Sequence, residues 1–347
     1  MFIEGDVLFE SMLADISAAC ERVWIESYIF EDDVIGRQLL ERLAHCAANG
    51  LDVRVRVDAF GSHFGFSGGS AKRLRASGVK FRWCHPWEWH RPWSFHRRNH
   101  RKLLVVDSTA AYVGGFNISR LNSRRAIGET RWRDTHVRLT GPIVDEAAAA
   151  YLAFSEGNLK WHGDLSRPLY LLTNHARGCR YRLRCTLQQI FDDAHDRIWM
   201  TTPYFVPDSV TQKQLCTAAE RGVDARVLVP GKSDVELVQW AGRAAYSRLL
   251  RSGVRIYEYK PRMLHAKTIV VDNEWSTIGT SNFDYRSFFI NYELNLVANS
   301  RQLNKALAML FEIDLQAAKA ILERPWKQRP MRDRIAEFVG WSARRWL

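Results

Sequence analysis

The octapeptide HRKLLVVD at 100–107 is answered by HAKTIVVD at 265–272. Both set His, Lys and Asp at the same positions, and both run through aliphatic and β-branched residues that read as a buried strand. His100 and His265 are 165 residues apart, and the same offset separates Lys102 from Lys267, Asp107 from Asp272 and Asn117 from Asn282. A pattern that returns in register at one fixed offset marks an internal duplication, and the duplication decides the fold before any single element does.

Working outward, the echo continues. Glu21-Arg22-Val23-Trp24-Ile25 returns as Asp196-Arg197-Ile198-Trp199-Met200, and Ser77-Gly78-Val79-Lys80 returns as Ser252-Gly253-Val254-Arg255. Each half predicts a strand (Val23–Phe30; Ile198–Phe205), a helix (Val34–Asn49; Ser209–Arg221), a strand (Val53–Val57; Ala225–Val229), a helix (Ala71–Ser77; Val235–Ser252) and a further strand before the histidine segment. Strands alternating with helices imply an α/β layered fold, here of two similar lobes. Gly and Pro in WHGDLSRPLY break the periodicity near 162–170, so the lobes are expected at 1–165 and 166–325, followed by a tail at 326–347. Gly78 and Gly253 lie 175 apart, so the first half holds ten extra residues before His100, within CHPWEWHRPWSFHRRN.

Composition narrows the class. The chain has 347 residues, 46% hydrophobic and 25% charged, which excludes a mainly disordered or fibrous protein. Six scattered cysteines without a C-x-x-C pair argue against a disulfide framework or a zinc ribbon and fit a reducing compartment. Glu4, Asp6 and Glu10 near the N-terminus, without a basic run, do not read as a signal peptide. Apolar stretches such as Ala147–Phe154 fall far short of the roughly 20 residues of a spanning helix, so a soluble or peripheral protein is expected. Fifty Lys and Arg against 38 Asp and Glu give a net charge of +12, which calls for an anionic partner: nucleic acid, an anionic membrane or a phosphate-bearing substrate.

The chemistry lies in the repeated segment. Side chains alternate along a strand, so His100 and Lys102 share a face, as do His265 and Lys267. A proton-transferring or nucleophilic group beside a fixed cation suits a phosphate ester, whose transition state gathers charge on the non-bridging oxygens. A pseudo-twofold would gather both pairs around one phosphorus. Asn117 and Asn282, each ending a segment of small residues, would add amide donors. Asp107 and Asp272 belong to the motif but have the opposite parity, which points them to structural ion pairs. His85, His90, His96 and His100 match no compact metal-ligand spacing, and no metal is expected.

The doubled HxKxxxxD, with its downstream glycine and asparagine, resembles the phospholipase D superfamily over nearly the whole chain. IESYIFEDDVIGRQLLERL at 25–43, RDTHVRLTGPIV at 133–144 and SNFDYRSFFINYELNL at 281–296 resemble the short bacterial cardiolipin synthases that lack N-terminal membrane helices. The resemblance implies two phospholipase D-like lobes, each a mixed β-sheet flanked by helices, with one active site between them and a catalytic set of His100, Lys102, Asp107, His265, Lys267 and Asp272. It implies a downstream acid for each histidine: Asp134, 34 residues after His100, and Glu293, 28 residues after His265. It further implies double displacement through a phosphohistidine, with His100 as nucleophile, His265 as acid and base, and Lys102, Lys267, Asn117 and Asn282 on the phosphoryl oxygens. No cofactor is implied. The implied reaction joins two phosphatidylglycerols into cardiolipin and glycerol, with phosphatidylethanolamine as an alternative donor. Hydrolysis by a phospholipase D remains open, as does a nuclease of the same superfamily or a non-catalytic binder on the same scaffold.

Two stretches favour a membrane over nucleic acid. The 81–98 stretch interleaves Trp83, Trp87, Trp89, Trp93 and Phe95 with arginines, and Trp prefers the headgroup interface. From Met331 the tail reads as a helix with Met331, Ile335, Phe338, Val339 and Trp346 on one face and arginines elsewhere, the pattern of an interfacial helix; Trp341 lies in the same stretch. The alternative for that stripe is packing on the protein itself. The expected place is therefore cytoplasmic, peripheral at the inner membrane. Nothing in the sequence fixes an oligomeric state.

Overall fold

The computed structural model describes residues 1–90, 96–158, 161–174 and 182–346. The first lobe runs α1 (Gly5–Ser17), β1 (Arg22–Ser27), α2 (Val34–Ala48), β2 (Asp52–Asp58), α3 (Gly68–Ala76), β3 (Lys80–Cys84), β4 (Leu103–Val106), β5 (Ala110–Gly114), the single turn α4 (Arg124–Ile127), β6 (His136–Leu139) and α5 (Ile143–Ser155). The second runs β7 (Leu169–Thr173), α6 (Arg182–Asp193), β8 (Arg197–Thr201), α7 (Ser209–Glu220), β9 (Asp224–Pro230), α8 (Glu236–Arg251), β10 (Arg255–Tyr259), β11 (Thr268–Val271), β12 (Trp275–Gly279), α9 (Tyr285–Phe289), β13 (Leu294–Asn299), α10 (Arg301–Gln316), β14 (Ala318–Ile321), α11 (Glu323–Lys327) and α12 (Met331–Ala343).

The strands form two mixed sheets, ordered β3-β2-β1-β4-β5-β6 and β14-β10-β9-β8-β11-β12-β13-β7. The duplication shows in the pairing. Strands β1, β2 and β3 are parallel and joined through helices, while β4, β5 and β6 continue antiparallel. The second sheet repeats this six-stranded unit from β10 to β13 and adds β14 at one edge and β7 at the other. Helix starts follow local chemistry: Asp33, Ser67, Asp208 and Ser300 each cap the next helix through side-chain oxygens.

Alternation along the strands divides the apolar residues into three cores. Leu104 and Val106 of β4 face an outer core with Leu8, Leu39 and Leu43 of α1 and α2. Ile269 and Val271 of β11 face the matching core under α6, α7 and α8. Leu103 and Val105, with Val270, point the other way into a shared core that α5 and α10 complete. The two lobes therefore share buried apolar surface, with β5 of the first sheet against β12 and β13 of the second.

The histidine segments are not strand interiors, as the sequence reading had them. β4 and β11 begin at Leu103 and Thr268, one residue after each lysine, and the His-x-Lys triplets lead into them. At the other end of each strand, Asp107 and Asp272 sit in left-handed conformations, φ 49° and 46°. The Asp107 carboxylate accepts the backbone N–H groups of Cys20, Glu21 and Arg22 at 2.8–2.9 Å. That of Asp272 accepts those of His195, Asp196 and Arg197. The structural ion pairs expected of these two are replaced by amide capping, while Arg22 and Arg197 reach the aspartates' backbone carbonyls instead. Both carboxylates tie β4 or β11 to the start of the neighbouring strand, at the end away from the histidines.

The tail helix is where the sequence placed it. α12 packs on α8 through Gly340, where a Cβ would lie 2.4 Å from the Ala241 nitrogen. Its buried Glu337 holds Arg329 in a two-pronged ion pair. The apolar stripe faces outward: Met331, Ile335, Phe338, Val339 and Trp346 are all exposed. Among the described residues no helix is long and apolar enough to cross a membrane.

Candidate active site

Each histidine segment is held by the opposite lobe. The His100 N–H donates to the Tyr292 carbonyl at 2.9 Å, and the His265 N–H donates to the Arg133 carbonyl at 2.7 Å. These contacts bring the residues after Tyr292 and Arg133, Glu293 and Asp134, against the imidazoles. His100 Nδ1 lies 2.9 Å from Glu293 Oε2, and His265 Nδ1 lies 2.6 Å from Asp134 Oδ2. The acid for each histidine therefore comes from the other half of the chain. Counting downstream within one half pairs them wrongly, because the reach that matters is across the shared core.

A carboxylate on Nδ1 makes that nitrogen the donor and leaves the lone pair on Nε2, the atom able to attack or to take a proton. Asp134 and Glu293 are both fully buried. They are also the same position of the repeat, each two residues before a residue paired to the glycine that ends β5 or β12. The longer Glu293 accepts a hydrogen bond from Thr280 Oγ1. The shorter Asp134 lies against Gly115, the residue equivalent to Thr280, where a Cβ would fall 2.0 Å from its Oδ1. A threonine serves the glutamate, and a glycine makes room for the aspartate.

The lysines differ between the copies. Lys102 Nζ donates to its own His100 carbonyl at 2.9 Å and lies 5.5 Å from the Tyr28 ring centroid. Lys267 Nζ donates to the His265 carbonyl and lies 2.8 Å from Nδ1 and 3.2 Å from Nε2 of the same imidazole, with Asp134 Oδ2 at 3.8 Å. The Nε2 of His100 carries no protein hydrogen bond among the described residues. The residue between also differs. Arg101 points away from the site, wholly buried, and pairs with Glu26 at 2.9 Å, where the second copy has Ala266.

Burial governs the protonation states. It pulls the His100 imidazole down to about 4 against the pull of Glu293, so the ring is neutral at pH 7. Burial, then the neighbouring Lys267 charge, bring Lys102 down to about 7, and burial brings Lys267 to about 8. His265 is lowered by burial and by Lys267. Burial alone would raise Asp134, but Lys267 and His265 outweigh it and keep its carboxyl below the ordinary range. The two lysines feel each other, and His265 feels Lys102, so both copies stand around one point.

Asn117 and Asn282 follow the two strand hairpins. Asn117 Oδ1 accepts from the Ile29 N–H at 3.3 Å, and Asn282 donates its backbone N–H to Ser287 Oγ at 3.0 Å. Neither amide nitrogen has a protein acceptor among the described residues. Sequence reasoning missed two aromatic neighbours. Tyr28 sets its ring edge-on to His100 at 4.8 Å, and Trp132 lies 4.9 Å from His265. Tyr28 lies within the stretch at 25–43 and Trp132 directly precedes the one at 133–144, but no spacing ties them to the histidines. Among the described residues no group of three His, Cys, Asp or Glu is placed to hold a metal ion.

The expected membrane residues divide. Trp87 and Trp89 are exposed, with 62% and 83% of their surfaces open, and Trp93 lies outside the described residues. Trp83, by contrast, packs into the first lobe's core against Phe66 and Phe81. Trp341 is half-buried, with the Arg344 guanidinium 4.2 Å over its ring, and Trp346 is exposed. The sequence reading overlooked Phe64, which is 97% exposed in the loop after β2. Trp346 sits beside the insertion, 6.4 Å from the His96 ring. Arg286 bridges the two by donating to the carbonyls of His96 and Trp346.

Residues 12–141 and 187–315 match the family described as "Cardiolipin synthase, PLD-like domain". A cardiolipin synthase of Clostridium perfringens (strain SM101) is 30% identical over 98% of this chain and 75% of its own length. That of Geobacillus kaustophilus is 35% identical over 97% of this chain and 70% of its own. Among solved structures, a phosphatidylserine synthase from Haemophilus influenzae superposes with a TM-score of 0.71 at 13% identity, covering 100% of this chain and 94% of that one, a likeness of fold. Two matched halves, relatives alike along nearly the full chain and a doubled His-Lys site between the lobes agree: the chain belongs to the cardiolipin synthase family of phospholipase D-like proteins.

Proposed function

We propose that the protein is a cardiolipin synthase that moves a phosphatidyl group from one phosphatidylglycerol to the headgroup hydroxyl of another and releases glycerol. The observation that carries this reading is the unequal surroundings of the two imidazoles. His100 is neutral, oriented by Glu293 and, among the described residues, without a hydrogen bond at Nε2, which suits a nucleophile. His265 is held between Asp134 and Lys267, which suits a group that passes a proton.

His100 Nε2 attacks the phosphorus, the bond from phosphorus to the glycerol oxygen breaks, and the leaving oxygen takes a proton from His265. The anionic phosphodiester raises the pKa of the buried His265 on arrival, so that it is charged when the proton is needed. Neutral His265 then takes the proton from the hydroxyl of the second phosphatidylglycerol. That oxygen attacks the phosphohistidine, the P–N bond breaks and cardiolipin leaves. Lys102, Lys267 and the amides of Asn117 and Asn282 hold the non-bridging oxygens, where charge grows in both transition states. Asp107 and Asp272 support the scaffold from the far ends of the strands.

The membrane is the second half of the reading. Phe64, Trp87 and Trp89 on one lobe and the outward stripe of α12 on the other expose large apolar groups on a chain of charge +12. Each basic residue near an anionic leaflet contributes about 1 kcal/mol, and tryptophan favours the headgroup layer. These features support a peripheral enzyme on the cytoplasmic face of the cell membrane.

The test is purified protein with phosphatidylglycerol vesicles, lipid extraction and mass spectrometry, with His100→Ala and His265→Ala alongside. Cardiolipin and glycerol from the wild type, and neither from the variants, is the expected result. Phosphatidic acid alone would mean a hydrolase, and no lipid product with cleavage of single-stranded DNA would mean a nuclease.

A further inference from the structure

A groove of about 440 Å³ opens between α8, α11 and α12, and none of its lining residues belongs to the histidine site. Its walls include Trp326 and Trp341. Trp326 is fixed there, its ring tilted against that of Tyr246 with centroids 5.2 Å apart and its Nε1 donating to Ser247 Oγ. Four cations line the groove, and two are already matched: Lys327 by Glu323 at 2.6 Å, and Arg329 by the buried Glu337. Arg251 and Arg334 have no carboxylate partner among the described residues, and Arg334 donates only to the Lys327 carbonyl at 2.7 Å. Phe338 stands at the lip and continues into the exposed stripe of α12.

We propose that this groove is a second lipid site, which takes the phosphate of an anionic phospholipid that is bound and not consumed. The proposal rests on the membrane reading above. Two unmatched guanidinium groups offer the planar donor forks that suit a phosphate. The indole walls cover the glycerol and first methylenes, and the acyl chains follow Phe338, Ile335 and Met331 into the bilayer. A groove of this volume is ordinary for a small-molecule site. The consequence is positional. Past the end of α12 the chain reaches Trp346, which Arg286 ties to the insertion through the carbonyls of His96 and Trp346. A lipid seated in the groove fixes the tail against the membrane at one end while its other end stays at the insertion beside the histidines.

The test is hydrogen exchange of the full chain carrying His100→Ala, so that no substrate is turned over, with submicellar dihexanoyl phosphatidylglycerol, dihexanoyl phosphatidylcholine or inorganic phosphate. Phosphatidylglycerol is expected to slow exchange in peptides covering 240–251 and 323–341, and the other two are expected not to. Arg251→Ala with Arg334→Ala, both at exposed positions, is expected to abolish that slowing while the peptides covering 98–102 and 263–267 remain protected. Protection confined to the histidine peptides overturns the groove and leaves the proposed activity standing. Equal protection by inorganic phosphate overturns the lipid, as does protection that survives in the double variant. A protected groove in this variant, with no cardiolipin made from phosphatidylglycerol by the wild-type chain, would sink the proposed activity and keep the site.

Discussion

His100 Nδ1 and Glu293 Oε2 lie 2.9 Å apart across 193 residues of chain, and the reverse pair, His265 with Asp134, closes the same gap from the other side. Neither lobe holds a complete histidine–acid pair by itself. The lobes must dock correctly before either imidazole has its tautomer fixed, so folding of the shared core and assembly of the site are one event.

Glu293→Gln and Asp134→Asn should each lower kcat by about 10²–10⁴-fold, as loss of an orienting carboxylate does elsewhere. KM should move much less. The pair with both changes should fall little below the worse single variant, because the two acids serve one sequence of steps. Steady-state rates on phosphatidylglycerol in mixed micelles check this. Additive losses would mean that the two histidines act independently.

Gly115→Ala should act as an indirect loss of Asp134. The added methyl would overlap the carboxylate oxygens at 2.0 and 2.7 Å, so the acid must turn away from His265. A fall in kcat of about 10²-fold follows from losing that orientation. Gly68→Ala meets nothing within 4 Å in the first turn of α3 and is the matching control, with wild-type rates expected.

Much of this was legible in the repeat. The fixed offset of 165 gave two lobes, and HxK gave the four central groups. Glu293 and Asp134 could be named from the sequence, but their crossing could not, because partner choice across a pseudo-twofold depends on how the lobes dock. β7 and β14 add edge strands that have no echo in the first half, so the repeat could not reveal them. α1 and its counterpart α6 each precede the first strand of the repeated unit, but no run of identical residues links them, so the repeat did not reveal either. Tyr28 and Trp132 reach the histidines through loops whose geometry no periodicity encodes.

Activity should peak on the acidic side of neutrality. Below about 4, His100 becomes protonated and kcat/KM falls, whereas an unperturbed histidine near 6.5 would place that limb higher. Above about 7, Lys102 loses its proton, and above about 8 Lys267 does, so the charge facing the phosphate is lost as pH rises. The alkaline limb of kcat should lie above that of kcat/KM, because bound phosphate holds the lysine protons. Lys102→Arg keeps its charge at every accessible pH. It should turn over more slowly but move the alkaline limb upward. A limb unmoved by that change would remove Lys102 from the titration.

Asp107→Ala and Asp272→Ala should cost stability and spare chemistry. Each removes a charged acceptor from three backbone N–H groups, worth roughly 2–4 kcal/mol for the set. A chain of this size should then melt about 3–6 °C lower. Rates per folded molecule, taken well below the melting point, should stay within a few fold of wild type. Asp107→Gly should recover part of the loss, since glycine accepts the left-handed backbone at φ 49° freely. A wild-type melting point with lost activity would move the aspartates into the site.

Membrane binding should depend on two patches that lie on different lobes. Phe64 and Trp89 expose large rings near the insertion, and Phe338 and Ile335 do so on α12. Phe64→Ser with Trp89→Ser, or Ile335→Ser with Phe338→Ser, should each weaken flotation with phosphatidylglycerol vesicles. The four changes together should weaken it by more than either pair. Rates on substrate dispersed in detergent should remain close to wild type, because none of these side chains touches the histidines. Raising salt from 50 to 500 mM should loosen the variants more than the wild type, since charge is then the main attraction left and salt screens it. If the apolar changes leave flotation untouched at high salt, the rings do not enter the bilayer. The contact would then be electrostatic alone, and the outward face of α12 would need another partner.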